Sequence, residues 1–237
     1  MSCTTATIVL IGNELLSGRV RDENLSFLAS ELWSLGVRVQ RAEVVRDDVA
    51  EIAAAVRRGL DESGCVLTTG GIGPTHDDVT VAGVAAAFGV GITTHPELAR
   101  RIREHVGREP TAAELRMASV PEGAELVGGA DTWPTIRVDR VYVLPGVPSI
   151  LRRKFGELRG EFRGIPRHRE SLAFRARETD LAPLLEQLVA RFPDLEIGSY
   201  PEPTRVLVTI EGTDARTVVA AREQLATLAA HVPRAPA

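Results

Sequence analysis

Apolar residues recur along this chain in two alternating rhythms. Thr7 to Ile11 is a short β-branched apolar run that stops at Gly12, the pattern of a buried strand. Glu23 to Leu35 then sets Leu25, Leu28, Leu32 and Leu35 at helical spacing, with Gly36 as a C-terminal stop. A second strand begins at Val37 and continues toward Val45. Asp47 and Asp48 open a helix that runs to Leu60, with Ile52, Val56 and Leu60 on one face. Cys65 to Thr69 is the third strand. Strands alternating with helices of about 12 to 14 residues predict an α/β fold with a largely parallel sheet.

The middle of the chain is more helical. Helices are expected over Val79 to Phe88, over Pro96 to Val106, and briefly over Ala112 to Met117 before Pro121. Ile136 to Val138 and Val141 to Leu144 read as strands joined by a hairpin turn at Asp139 and Arg140, and a helix follows over Ser149 to Leu158. Arg159 to Arg169, with two glycines, a proline and several arginines, reads as a linker. Beyond it come a strand over Ser171 to Arg177, a helix capped by Thr179 and Asp180 and reaching Phe192, strands over Leu195 to Ser199 and Arg205 to Ile210, and a last helix over Asp214 to Ala230. The expected organisation is therefore two domains, residues 1–160 and 170–237, the second a small βαββα module of α+β type. Val232 to Ala237 is expected to fray.

Composition narrows the class. Apolar residues make up 44% and charged ones 25%, ordinary for a globular protein with a full core. A net charge of −4 without a long basic run argues against DNA as a partner. No apolar stretch approaches the roughly 20 residues that span a bilayer, and Met1 to Thr5 lacks signal-peptide character, so no membrane partner is expected. Cys3 and Cys65 are the only cysteines. Without a local spacing motif they suggest neither a zinc site nor a disulfide framework, and a reducing cytoplasm fits best.

The chemistry concentrates in three loops, each after a predicted strand. The richest is Thr68-Thr69-Gly70-Gly71-Ile72-Gly73-Pro74-Thr75-His76-Asp77-Asp78-Val79-Thr80. Glycines between a buried strand and a helix expose backbone N–H groups and a positive helix end, both suited to an anion. Asp77 and Asp78 would repel a bare phosphate, so beside an anion site they point to a divalent metal or an acid–base role. The first loop, Gly12-Asn13-Glu14-Leu15-Leu16-Ser17-Gly18, carries one carboxylate, which fits a site residue or an ordinary surface group. The third is Leu144-Pro145-Gly146-Val147-Pro148. If the three strands are parallel, their loops converge at one edge of the sheet, where open α/β sheets bind ligands. Asp47 and Asp48 fit helix capping or the site. His76 reads as a solvent-facing loop residue, since the other histidines form no ligand spacing with it. Arg152, Arg153 and Lys154 read as a solvated helix face. No Gly-Lys-Ser or Gly-Lys-Thr loop, no nucleophilic triad and no Gly-x-Gly-x-x-Gly after the first strand is present.

Taken in order, Gly12-Asn13-Glu14-Leu15-Leu16-x-Gly18, Gly70-Gly71-Ile72-Gly73-Pro74-Thr75-x-Asp77-Asp78-x-Thr80 and Leu144-Pro145-Gly146-Val147-Pro148 resemble the MoaB/Mog-like molybdopterin-binding domain, over about residues 6 to 158. The spacing is most similar to the N-terminal domain of CinA proteins and to the related domain of FAD synthases. The C-terminal module is similar in element order to the one that follows this domain in CinA proteins. The resemblance implies a three-layer α/β/α fold that is typically oligomeric, here a homo-oligomer. Mog proteins adenylate molybdopterin with Mg-ATP. CinA-type domains are associated with divalent-metal-dependent cleavage of ADP-ribose, and the FAD-synthase version with hydrolysis of FAD.

The motif match further implies that Asp78 is the catalytic aspartate, that Glu14 is an acidic residue of the first loop, and that Asp47 matches a second acidic position. Gly12, Asn13, Gly70, Gly71, Gly73, Pro74, Thr75, Asp77, Thr80, Pro145, Gly146 and Pro148 would line a pocket for a nucleotide or pterin phosphate, possible molybdopterin included. Asp78 and Asp77 would hold Mg, Mn, Co or Ni. Gly129-Ala130-Asp131-Thr132-Trp133-Pro134-Thr135 departs from the Gly-Thr-Ala-Pro-Gly-like segment of CinA proteins toward the FAD-synthase type. The sequence given contains no match to the CinA deamidase domain or the FAD-synthetase half, so nicotinamide-nucleotide deamidation is not expected.

Overall fold

The computed structural model describes residues 3–129 and 132–236. It divides into one unit up to Gly164 and a second from Ile165. In the first unit the chain runs β1 (Thr5–Ile11), α1 (Asn13–Leu16), α2 (Asn24–Ser34), β2 (Arg38–Val45), α3 (Val49–Glu62), β3 (Cys65–Thr69) and α4 (Thr80–Phe88). It continues through β4 (Ile92–Thr94), α5 (Pro96–Val106), α6 (Ala112–Arg116), β5 (Ser119–Pro121), β6 (Glu125–Val127), β7 (Thr135–Val138), β8 (Val141–Leu144), α7 (Pro148–Leu158) and a 3₁₀ turn over Arg159–Glu161. The second unit comprises β9 (His168–Phe174), α8 (Glu178–Arg191), β10 (Glu196–Pro201), β11 (Val206–Gly212) and α9 (Ala215–Leu228).

The first unit is built on a sheet in the order β2-β1-β3-β8-β7-β6. β2, β1, β3 and β8 are parallel, and β7 and β6 close the far edge antiparallel. Its strands alternate between two apolar layers, as the two-residue period of a strand requires. Val9, Ile11 and Val66 join Ile52, Val56, Val84 and Leu98 on one face, while Ile8, Leu10 and Leu67 join Leu28, Leu32, Leu151 and Phe155 on the other. Helices α3, α4 and α5 thus cover one side and α2 and α7 the other, giving the expected three-layer α/β/α arrangement. On the second side Phe155 stacks on Phe162 at 5.3 Å between ring centroids. β1 lies between β2 and β3, so the chain reverses its direction of travel across the sheet there. This is the switch point at which parallel sheets open a crevice.

The second unit is an antiparallel sheet in the order β10-β11-β9 backed by α8 and α9, with Phe174, Leu181, Leu188, Val208 and Ile210 in its core. Its βαββα order agrees with the sequence pattern.

Several expectations need correction. Cys3 and Cys65 form a disulfide across 62 positions of sequence, with 6.0 Å between their α-carbons. Cys65 pairs in register with Ala6, so sheet pairing brings the two together where no spacing motif could show it. The C-terminal tail does not fray through Pro236: Arg175 donates to the Pro233 carbonyl at 2.8 Å and the Ala235 N–H to Ala173 at 2.9 Å. The α8 cap is Arg177, with Asp180 reaching back to its N–H, rather than Thr179 and Asp180. Lys154 is not solvated. It is 3% exposed, and its ammonium donates to the Thr132 hydroxyl, the Trp133 carbonyl and Glu157. The short elements β4, β5, β6 and α1 are too brief to leave a periodicity. Ala130 and Asp131, part of the departing Gly129 to Thr135 segment, lie outside the described residues, as does Ala237.

Candidate functional site

Register levels the three loops. Leu10 pairs with Thr69 and Thr69 with Leu144, so β1, β3 and β8 end in one row. The first, second and third loops therefore leave neighbouring strands at the same edge. Their glycines allow close approach. A Cβ on Gly70, at φ +103°, would collide with the Ile11 carbonyl, and one on Gly146 would lie 3.1 Å from the Gly70 α-carbon. The first and third loops thus press on the second from either side, and no side chain fits between them.

The second loop is held from below and from its flank. Thr80 is buried and its hydroxyl donates to the Gly70 carbonyl at 2.7 Å, while the Thr80 N–H donates to Gly71. Thr80 supports the loop rather than lining a pocket. The Thr75 N–H donates to Asp78 Oδ2 at 2.8 Å and the Thr75 hydroxyl donates to the same oxygen. Gly73 packs under that carboxylate, since a Cβ there would lie 2.7 Å from Oδ2. Arg116, from α6, donates to the Pro74 carbonyl at 2.8 Å. Among the described residues the N–H groups of Gly71, Ile72 and Gly73 make no hydrogen bond within the chain. Three such N–H groups in a turn leading to a helix favour an anion.

The carboxylates divide in role. The nearby Thr75 hydroxyl and its own backbone N–H hold exposed Asp77 below the usual carboxylate range. That hydroxyl has one proton, and its geometry gives it to Asp78, so Asp77 feels chiefly its dipole. Asp47 accepts from the Asn13 N–H at 2.8 Å and so ties the first loop to the β2–α3 turn, whereas Asp48 is the cap of α3, accepting from Ala50 and Glu51. Glu14 folds its carboxylate over Gly12, where a Cβ would meet it. His76 is exposed, as expected.

Glu14, Asp47, Asp77 and Asp78 do not gather into one metal cage: among the described residues no three His, Cys, Asp or Glu side chains approach as a ligand group. Asp77 and Asp78 are adjacent carboxylates of the same turn, and a hard divalent ion of the Mg type is often held by one or two carboxylates and completed by substrate phosphates and water.

One residue, Asn24, escaped the sequence reading. Asn24, the first residue of α2, is 6% exposed and donates through Nδ2 to the Thr69 hydroxyl at 3.0 Å and the Gly146 carbonyl at 2.7 Å. Thr69 in turn donates to the Pro145 carbonyl at 3.0 Å. Asn24 thus joins the end of β3 to the third loop. The signal was present: Asn24 shares the i, i+4, i+8 buried stripe with Leu28 and Leu32, and a polar residue on an apolar stripe needs a partner. Pro145 thereby acts through its carbonyl, and Pro148 opens α7 at its first turn.

Comparison with known proteins finds matches to both units of the chain. Residues 7–162 match the family described as "Probable molybdopterin binding domain", and residues 166–232 match "FAD synthase, middle domain". A protein of Archaeoglobus fulgidus is 36% identical over 218 residues, covering 92% of this chain and 94% of its own. A "Probable FAD synthase" of Caenorhabditis elegans is 36% identical over 232 residues, covering 84% of this chain and 44% of its own, so the chain spans less than half of that relative. A crystal structure of CinA from Thermoplasma acidophilum, of unknown function by its own description, superposes with a TM-score of 0.62 at 31% identity, covering 67% of this chain and 97% of that one. No helix among the described residues is long and apolar enough to cross a membrane.

Proposed function

Because the chain belongs to the molybdopterin-binding-domain family, we propose that its three-loop site hydrolyses a nucleotide pyrophosphate of the ADP-ribose or FAD type with a divalent ion. The observation that carries this reading is the juxtaposition, in one turn, of three unbonded N–H groups with two carboxylates. The N–H groups of Gly71 to Gly73 hold a phosphate, and Asp78, fixed by Thr75, faces it in a defined rotamer. Asp77, held below the usual carboxylate range, stays ionised at neutral pH. A divalent ion, when bound by Asp78 and Asp77, supplies the positive charge that offsets phosphate repulsion. Such preorganised donors act most strongly where charge develops in the transition state.

The paired match to a molybdopterin-type domain and an FAD-synthase middle domain, in that order, favours a nucleotide ligand. A second reading, molybdopterin binding with adenylyl transfer, draws on the family description of residues 7–162 alone. Asp78→Asn tests the first reading. An amide oxygen still accepts from the Thr75 N–H, so the fold is expected to persist while Mg- or Mn-dependent release of AMP from ADP-ribose or FAD is lost. Equal rates for variant and wild type overturn it. Adenylylated pterin from ATP and molybdopterin, without AMP from ADP-ribose, supports the second.

A further inference from the structure

The glycine turn that carries two carboxylates and three unbonded N–H groups also touches one strong cation. Arg116, the last residue of α6, is exposed, and its Nε and Nη2 donate to the Pro74 carbonyl at 3.2 and 2.8 Å. Among the described residues no other lysine or arginine side chain is hydrogen-bonded to residues 70–80. A guanidinium presents five N–H donors in one rigid plane. Pro74 takes the edge formed by Nε and Nη2, so the second fork, the edge between Nη1 and Nη2, is left open. The nearby carboxylates are engaged elsewhere. Glu114, two residues earlier on α6, accepts from Arg108 through both oxygens and from the Thr111 N–H. Asp78 Oδ2 is taken by Thr75, and the ion-pair partner of Asp77 among the described residues is His76, at 4.0 Å. Arg116 is thus a cation fastened to the turn by a neutral carbonyl, with its charge not offset by a carboxylate.

Covalent geometry keeps this cation close to the N–H groups. Gly73 and Pro74 are consecutive, so the Gly73 N–H lies within about 7 Å of the Pro74 carbonyl, and the guanidinium is one hydrogen bond beyond that oxygen. Two phosphates joined by a bridging oxygen, with a hydrogen bond at each end, span such a separation. We propose that Arg116 is a specificity-determining residue, which takes the second phosphate of a nucleoside diphosphate ester whose first phosphate lies on the N–H groups of Gly71 to Gly73. Paired N–H donors of one guanidinium match phosphate geometry, and the charge strengthens both bonds. A monophosphate on the turn leaves the fork empty, so the site prefers diphosphates. The same role accounts for the bracing of α6: a capping box and the Arg108–Glu114 pair fix a helix of five residues that ends in Arg116. The assignment rests on the reading of the site as a nucleotide pyrophosphatase and names the residue that selects its substrate class.

Calorimetric titration of wild type and Arg116→Met with ADP and with AMP, in magnesium buffer, tests this. Wild type is expected to bind ADP about tenfold or more tightly than AMP, the factor that one charge-assisted hydrogen bond supplies. Arg116→Met should bind AMP as wild type does and lose the preference for ADP, and Arg116→Lys, which keeps the charge without the fork, should recover part of it. If Arg116→Met weakens both nucleotides by the same factor and keeps the preference, Arg116 is only a brace for the turn and the assignment falls. It falls equally if wild type binds ADP and AMP alike. Hydrolysis of ADP-ribose by wild type, measured separately, leaves the pyrophosphatase reading standing in either case. If the preference depends on Arg116 but neither ADP-ribose nor FAD is cleaved, the pyrophosphatase reading falls and the diphosphate contact stands. If wild type binds neither nucleotide, both fall. Should Arg116→Met not fold, Arg116→Gln, also uncharged, decides by the same comparison.

Discussion

Gly146 and Gly70 meet backbone to backbone: the position of a Cβ on Gly146 is 3.1 Å from the Gly70 α-carbon. The third loop therefore rests on the second with no side chain between them, and each positions the other. Gly146→Ala is expected to force them apart at a cost of about 1–3 kcal/mol, the usual range for overpacking. Chemical denaturation measures that loss, and ADP-ribose titration should show binding weakened about tenfold through the displaced turn.

Adjacent aspartates should separate cleanly. Asp48→Ala removes the α3 cap and should lower stability by about 1 kcal/mol while leaving ligand affinity unchanged. Asp47→Ala should do the reverse: stability within about 0.5 kcal/mol of wild type, but weaker ligand binding, because the Asn13 N–H loses its anchor. Paired melts and titrations check both, and identical behaviour of the two variants contradicts the assignment.

The Cys3–Cys65 bond closes a long loop, and the chain-entropy relation for 62 residues gives a stabilisation of about 4 kcal/mol. Oxidised protein should yield no thiol titre when unfolded, and Cys3→Ser should shift the urea midpoint downward. Reductant should lower wild type to the level of the variant and leave the variant unchanged.

Helix α6, which carries Arg116 to the Pro74 carbonyl, starts in a capping box between Thr111 and Glu114. The Arg108 guanidinium, with the Thr111 N–H and hydroxyl, lowers Glu114 from its ordinary 4.5 to about 2. A lowered value means that the ionised group stabilises the fold fully above 4.5 and loses that effect as pH falls toward 2. Wild type should therefore melt above Glu114→Gln by a constant margin at pH values over about 5, with the margin closing as pH drops through the lowered value.

The hydrophobic rhythm alone marked β1, α2, β2, α3, β3 and the β7–β8 hairpin, because each has enough residues to show a period and a glycine or aspartate to end it. It also marked the three loops, since glycines after buried strands are local signals. Thr80 and Lys154 show where local reading stops. Nothing near either residue says that one hydroxyl lies beneath Gly70 or that one ammonium turns inward to Thr132, Trp133 and Glu157.

What the sequence by itself determined was the alternation of strand and helix and the chemistry of each loop, for these depend on neighbours a few residues away. What only the tertiary structure decided was register and partnership. Pairing of Leu10 with Thr69 and Leu144 levels the loops. Asn24 reaches Gly146 across 122 positions. Cys3 meets Cys65 because β1 lies beside β3. Each is a contact between segments far apart in the chain, set by burial of two apolar faces on one sheet, and no local pattern encodes it.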